Sequence, residues 1–161
     1  MKDLNKLAKQ CVDDLLLAGI PLRPVRNWKI STKSKCQWGL CKAVEDGCFD
    51  IHISARLLQD DVDDWATKNT IAHELLHTVE GCMNHGRHWH KLARLVCERY
   101  PQYNIKGRTS AEEKGICMEY KYILQCTGCK SKIGRLKRSR LVEHPEIYVC
   151  SKCGGRFERV L

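Results

Sequence analysis

Hydrophobic and polar positions change their spacing several times along this chain, and each spacing predicts an element. Apolar residues recur every three or four positions, as in amphipathic helices, in residues 1–18, 62–80 and 86–100. Alternation typical of strands occupies residues 25–31, 36–42 and 48–54. Asp46 and Gly47 form a hairpin-turn sequence before the last of these segments. Residues 1–106 are therefore predicted to form one α+β domain with a small sheet.

The remaining residues have a different pattern and predict a second, smaller domain. Residues 107–116 are mostly polar and have no clear periodicity, which predicts a linker. In residues 117–161, β-prone segments at 120–125 and 146–149 flank two pairs of cysteines. A chain of 161 residues is long enough for one well-buried core and a small appended module.

The second predicted helix contains the sequence His73-Glu74-Leu75-Leu76-His77. It is expected to have Asp60 or Asp61 as its N-cap and to end at Glu80, just before Gly81. Residues four apart lie on one helix face, so the two histidines can bind one zinc ion. The carboxylate of Glu74 would then be close to a water on that metal. The motif predicts a catalytic zinc site with Glu74 as general base.

Zinc in catalytic sites takes a third protein ligand, and the sequence offers several. His85 precedes Gly86 at the start of the third helix, where its side chain can point back to the second. His88 and His90 are close rivals, and Glu98 would be the ligand in an enzyme that uses a later carboxylate.

Two CxxC pairs predict a structural zinc ribbon in residues 117–161. The expected ligands are Cys126, Cys129, Cys150 and Cys153. Gly154 follows the second pair, where a tight metal-binding turn favours glycine, whereas Lys130 occupies the equivalent position after the first pair. The expected cofactors are thus two Zn²⁺ ions, one catalytic and one structural.

A run of basic residues between the cysteine pairs predicts nucleic-acid binding. The residues expected to contact phosphates along a β-hairpin are Lys130, Lys132, Arg135, Lys137, Arg138 and Arg140. Tyr122, Tyr148 and Phe157 are candidates for stacking on bases. The C-terminal third carries most of the net charge of +9, which favours DNA as a partner of the ribbon. Four thiolates on one Zn²⁺ would offset part of this charge.

The composition is ordinary for a folded soluble protein, with 43% hydrophobic and 29% charged residues. The N-terminal segment lacks the pattern of a signal peptide, and the eleven cysteines predict reduced thiols. We therefore expect a cytoplasmic protein with no membrane partner, and a nucleoid-associated or nuclear location is the alternative. Cysteines are commonly buried as small hydrophobes, which is the expected role of Cys36, Cys41 and Cys48. The alternative is that these three cysteines form a further metal site.

The motifs together resemble the SprT-like (Spartan-like) family of zinc metalloproteases. The resemblance is carried by HELLHT at 73–78, GCMNHGRHW at 81–89, and the preceding segments WGLC at 38–41 and IHIS at 51–54. It covers nearly the whole chain and implies a zincin-like domain followed by a zinc-binding module that contacts DNA. It also implies that His85 is the third ligand and that Trp89 occupies the aromatic position of the motif.

The leading hypothesis is a monomeric zinc metalloendopeptidase that cleaves DNA-associated or DNA-crosslinked proteins. Glu74 would take a proton from the attacking water and pass it to the leaving amine. The donor that stabilises the oxyanion remains open among Tyr100, Tyr103, Arg87 and His88. Two alternatives are another metal-dependent hydrolase and a nucleic-acid-binding zinc protein whose zincin-like domain is structural.

Overall fold

The computed structural model describes residues 1–33 and 37–161, so that Cys36, the first residue of the predicted strand 36–42, lies outside the described residues. The chain divides into two compact units, Met1–Ile116 and Cys117–Leu161, here called the first and the second unit. Both mix helices with a small sheet. Among the described residues, no helix is long and apolar enough to cross a membrane.

The first unit has a three-stranded sheet between its helices. Its elements are α1 (Leu4–Leu17), β1 (Val25–Ser31), β2 (Gly39–Ala43), β3 (Phe49–Ser54), α2 (Asp64–Leu76) and α3 (Arg87–Arg99). The strand order is β1-β3-β2, with β1 parallel and β2 antiparallel to β3. Asp46 and Gly47, with φ angles of 59° and 70°, make the turn between β2 and β3, so the prediction of a hairpin there is confirmed.

Strand β3 is the centre of the sheet and is buried on both faces. The apolar residues Phe49, Ile51 and Ile53 belong to the core, but Asp50 and Ser54 on the other face are buried as well. The Asp50 carboxylate accepts hydrogen bonds from Lys29 Nζ at 2.7 Å and from Asn27 Nδ2 at 2.9 Å, both on β1. These bonds lower the pKa of Asp50 and compensate for its burial.

Helix α2 is shorter at both ends than the periodicity predicts. Its N-cap is Asp63, whose side chain accepts the Trp65 N–H, and not Asp60 or Asp61. It ends at Leu76, before Glu80, because the following N–H groups bond to carbonyls three residues earlier and Thr78 Oγ1 donates to Leu75 O at 2.8 Å. His77 is therefore the C-cap of α2, and the sequence His73-Glu74-Leu75-Leu76-His77 lies at the end of the helix.

Residues 107–116 belong to the first unit and are not a free linker. Ala111 and Ile116 are buried, and Lys114 is only 6% exposed. Lys106 Nζ and Glu113 Oε1 form an ion pair at 2.7 Å. A polar composition suggested a solvated spacer, but Lys114 Nζ donates to Thr70 Oγ1 on α2 at 2.7 Å and so holds the segment against that helix.

The second unit is a small antiparallel sheet with one short helix. Its elements are β4 (Tyr122–Cys126), β5 (Lys132–Arg135), α4 (Arg140–Glu143) and β6 (Phe157–Arg159). The strand order is β5-β4-β6. The segment 146–149, predicted as β-prone, contains a 3₁₀ turn at Pro145–Ile147 and a single bridge from Val149 to Arg156. Pro145 favours this turn because its ring fixes φ.

Candidate metal centres and active site

Three imidazole rings meet where α2 ends and α3 begins. His73 is in the last turn of α2, His77 caps that helix, and His85 lies in the loop before α3. The Nε2 atom of His73 is 3.2 Å from that of His77 and 3.0 Å from that of His85. The ligand atoms of the three residues all lie within 4.8 Å of one another, which is a group able to hold a metal ion.

Carbonyl groups fix the tautomers of two of these histidines. His73 Nδ1 donates to Lys106 O at 2.9 Å, and His77 Nδ1 donates to Cys82 O at 2.6 Å. With the proton on Nδ1, each neutral ring presents the lone pair of Nε2 to the other ring. Two lone pairs at 3.2 Å repel each other unless a cation lies between them. The arrangement is the one that zinc-binding histidines use.

The distances between the nitrogens also fit zinc. A tetrahedral ion with Zn–N distances of about 2.0–2.1 Å separates its nitrogen ligands by about 3.3 Å. Burial lowers the pKa of His73 to about 4, and it lowers the pKa of His77 and of His85 as well. The rings are therefore neutral at pH 7, which is the form that binds metal.

The indole of Trp89 forms the floor of this group. Trp89 is fully buried on α3. Its ring centroid is 4.9 Å from that of His73, 5.8 Å from that of His77 and 4.7 Å from that of His85. Contact with one rigid aromatic side chain limits the rotation of all three imidazoles.

The carboxylate of Glu74 is buried beside the histidines. Its Oε1 is 4.0 Å from His73 Nε2, and the residue is 6% exposed. Burial raises the pKa of Glu74 to about 7, while a hydrogen bond from the backbone N–H of Cys41 and the charge of Lys114 act in the opposite direction. A carboxyl group with a pKa near neutrality is suited to accept and release a proton.

Gly39 allows strand β2 to approach Glu74 closely. A Cβ atom at position 39 would be 2.7 Å from Glu74 Cγ and 2.8 Å from its Cδ, with Oε1 also within clashing distance. Any other residue would displace the carboxylate. The chain sequence contains no signal for this role, because the contact joins positions far apart along the chain.

The alternative ligands do not join the histidine group in the described part of the chain. His88, His90 and Glu98 are all exposed on α3, and the group that forms contains His85. Of the candidates for an oxyanion donor, Tyr103 is buried and its hydroxyl donates to Asp14 Oδ2 on α1 at 2.8 Å. Tyr103 is therefore committed to a structural contact.

A cavity of about 340 Å³ opens beside His73 and Glu74. Its other lining residues include Thr70, Lys106, Arg108 and Lys114. Ligand pockets typically range from about 300 to 1,000 Å³, so the cavity is large enough for part of a substrate. Lys106 and Lys114 come from the segment 106–116, whose role in this site was not predicted.

The four predicted cysteine ligands converge in the second unit. The Sγ atoms of Cys126 and Cys153 are 3.4 Å apart and those of Cys129 and Cys150 are 3.7 Å apart. These distances are too long for disulfides and close to the value of about 3.8 Å expected for thiolates on one tetrahedral zinc. Hydrogen bonds from Ser131 lower the pKa of Cys129 to about 6, which favours its thiolate.

The two cysteine pairs lie in equivalent turns. Lys130 N donates to Cys126 O at 3.1 Å, and Gly154 N donates to Cys150 O at 2.7 Å. Both residues have a left-handed backbone, with φ of 60° at Lys130 and 73° at Gly154. Lys130 adopts this conformation although it has a side chain, so the first turn is strained and the second is not.

The basic residues of this run are exposed except for Arg135, which is half-buried, and they do not form one hairpin face. Lys130 is in a turn, Lys132 and Arg135 are on β5, and Arg140 begins α4. Arg138 Nε pairs with Glu143 Oε1 at 3.2 Å. The predicted alternation along a hairpin is therefore wrong for the second half of the run, because β5 ends at Arg135 and is followed by an irregular segment and then by α4.

The three aromatic candidates for stacking differ in exposure. Phe157 is 8% exposed and belongs to the core of the second unit, so it is not available for stacking. Tyr148 is exposed, and Tyr122 is half-buried beneath Arg159.

No protein-family model matches this sequence.

Proposed function

We propose that this chain is a zinc-dependent metalloendopeptidase of the SprT-like kind, with a zincin-like first unit, and that His73, His77 and His85 hold its catalytic zinc. The observation that carries the proposal is the convergence of three Nε2 atoms beside the buried Glu74, at the edge of a cavity. A binding site for a structural metal alone has no need of a carboxylate with a raised pKa next to it.

Each residue has a defined role in peptide hydrolysis. Zinc at this site would act as a Lewis acid and lower the pKa of water towards about 7. Glu74 accepts the proton of the attacking water and transfers it to the leaving amine. Gly39 and the Cys41 N–H hold the Glu74 carboxylate, while Lys106 O and Cys82 O orient two of the imidazoles.

We further propose that the second unit is a zinc ribbon that binds DNA and brings the protease to DNA-associated proteins. Its support is the exposed cations Lys130, Lys132, Lys137 and Arg140, together with the exposed ring of Tyr148. Because these contacts would be mainly to phosphates, affinity for DNA should fall steeply with salt concentration.

The test is cleavage of a DNA-binding protein, such as a histone, by the zinc-loaded full chain with and without DNA. We expect Glu74→Gln to retain both zinc ions and to lose at least about 100-fold in rate. Glu98→Gln, which neutralises an exposed glutamate on α3, is the matched control and should cleave normally. Normal cleavage by Glu74→Gln would overturn the mechanism.

Metal content separates the proposal from its alternatives. Two zinc ions per chain, with cleavage lost when the weaker one is removed, support a protease. Two zinc ions without cleavage of any protein would indicate a different hydrolase, and one zinc in the second unit alone would indicate a nucleic-acid-binding protein with a structural first unit.

A further inference from the structure

The cavity beside Glu74 contains a buried positive charge to which the proposed hydrolytic mechanism assigns no contact with the substrate. Lys114 is 6% exposed, and its Nζ donates to Thr70 Oγ1 at 2.7 Å. Thr70 lies one helical turn before Glu74 on α2. An ammonium group has three N–H donors, and this hydroxyl is the one acceptor recorded for it among the described residues.

Lys114 also has no carboxylate within ion-pair distance in the part of the chain that the structure describes. Glu113, its neighbour in sequence, pairs with Lys106 at 2.7 Å and accepts the Ser110 N–H at 2.8 Å. Burying an ammonium with no carboxylate in direct contact is costly, because the lost hydration is not replaced by an ion pair. Burial lowers the pKa of Lys114 to about 8, which still leaves it charged at neutral pH.

Arg108 adds a second cation to the lining of the cavity. Its side chain is exposed and makes no ion pair with any residue in the ranges 1–33 and 37–161. Lys106 is neutralised by Glu113. Among the described lining residues, two cations therefore remain available, Lys114 and Arg108, against one carboxylate, that of Glu74. Glu74 is itself bonded to the Cys41 N–H.

We infer that this cavity is a specificity subsite for a carboxylate of the substrate polypeptide, bound by Lys114 and Arg108 next to the scissile bond. The inference rests on the proposed protease function, since it names the substrate preference of the same site. A carboxylate would supply the acceptor that the Lys114 ammonium lacks, and Arg108 at the exposed side can bind it in a bidentate manner. The group could come from an Asp or Glu side chain or from a free C-terminus.

Binding is measured first, since it does not require turnover. The probes are dye-labelled octapeptides of Ala and Ser, amidated, with one Glu or one Gln at each position in turn. A third set has Gln and a free C-terminal carboxylate. Fluorescence anisotropy with the zinc-loaded Glu74→Gln chain should show about tenfold tighter binding of a carboxylate peptide over its neutral counterpart. The two carboxylate sets show which source the subsite prefers.

Two variants test the residues. Lys114→Met keeps an unbranched side chain of similar length, and Thr70 Oγ1 retains its bond to Ala66 O at 2.9 Å, so the fold should persist. Arg108→Gln changes an exposed residue and cannot disturb the core. Each should reduce the preference for carboxylate peptides to about threefold or less, and the double variant should abolish it. Arg94→Gln, an exposed arginine on α3, should leave it unchanged.

Cleavage of the same peptides by the wild-type chain distinguishes this inference from the proposed function. A carboxylate preference in kcat/KM that both variants remove supports it. A carboxylate preference in kcat/KM that Lys114→Met leaves unchanged would overturn it, even if the rate falls equally for Glu and Gln peptides through the effect of Lys114 on the pKa of Glu74. No cleavage, but selective binding that depends on Lys114 and Arg108, would reject the protease and keep the subsite. Cleavage and binding of Glu and Gln peptides without preference would keep the protease and reject the subsite.

Discussion

The histidine group of the first unit lies on a hydrophobic core that other residues form. In the second unit, by contrast, the cysteine group itself forms much of the core. Trp89, Ile71, Leu75 and Leu76 are fully buried under or beside the histidines. Of the residues that the structure describes, the buried cluster of the second unit has five members, Leu124, Cys126, Val142, Cys150 and Phe157. Two of these are candidate metal ligands.

The difference predicts opposite relations between metal and fold. In the first unit, the core and the carbonyls of Lys106 and Cys82 place the imidazoles before a metal arrives. A unit of the size of Cys117–Leu161 is too small to fold on such a core without a cross-link or a metal. We expect the first unit to position its metal and the second unit to be folded by its metal.

The largest effect should come from Cys126→Ser. It removes a buried ligand, and structural zinc contributes about 10 kcal/mol or more to folding in small zinc-binding modules. The second unit should lose its metal and its protection from amide hydrogen exchange. Cys117→Ser, an exposed cysteine of the same unit, is the control.

The first unit provides an internal reference for this experiment. All four tryptophans, Trp28, Trp38, Trp65 and Trp89, lie in it, so their fluorescence should not change in Cys126→Ser. In contrast, His85→Asn should weaken metal binding and leave the first unit folded. If the second unit stayed protected without its metal, the comparison between the two centres would fail.

Gly39→Ala tests how far the first unit fixes its own site. The added methyl group would overlap Glu74, so the carboxylate must move. A displacement of about 1 Å in a catalytic group can reduce the rate about 100-fold. Zinc content should not change, because the nearest atoms that a Cβ at position 39 would meet belong to Glu74 and not to a histidine. Leu40→Ala, at an exposed position of the same strand, should cleave at nearly the wild-type rate.

The sequence allowed much of this site to be predicted, but only its local part. The spacing of His73, Glu74 and His77 follows from helix geometry, and the cysteine pairs follow from their turns. The end of α2 at Leu76 depends on the Thr78 hydroxyl, which competes with the helix for a carbonyl. Gly39 and Lys114 reach Glu74 and Thr70 through tertiary contacts, and neither strand alternation nor polarity carries that information.

Protonation of the histidines in acid should destabilise the metal-free first unit, and protonation of Glu74 should offset much of this loss. The folded pKa of His73 is about 4, below the ordinary value of 6.5, so the stability present above pH 6.5 is lost as the pH falls towards 4. Its contribution is about 2 kcal/mol between about pH 7.5 and pH 5. Glu74 opposes this change, because its raised pKa favours the protonated form in the folded state.

Urea unfolding of the chelator-treated chain, followed by tryptophan fluorescence, measures this effect. The Glu74→Gln variant removes the opposing contribution and should therefore have the steeper loss of stability at low pH. His73→Gln in the same background should flatten the curve. A pH-independent free energy of unfolding in Glu74→Gln would mean that the imidazoles are not desolvated in the metal-free protein.

The smallest effect should come from Lys130→Gly in the second unit. A residue with a side chain loses about 1–2 kcal/mol in the left-handed conformation, whereas glycine costs about 0.5–1 kcal/mol in backbone entropy. The net gain should be about 0.5–1 kcal/mol, seen as tighter zinc retention in a competition with a chelator. Lys130→Ala removes the same charge but keeps the strain at φ 60°, so it should bring no gain. The turn at Gly154 is already unstrained, so Gly154→Ala should weaken zinc retention by a similar amount. Because the second unit depends on its metal to fold, both substitutions should change its affinity for zinc.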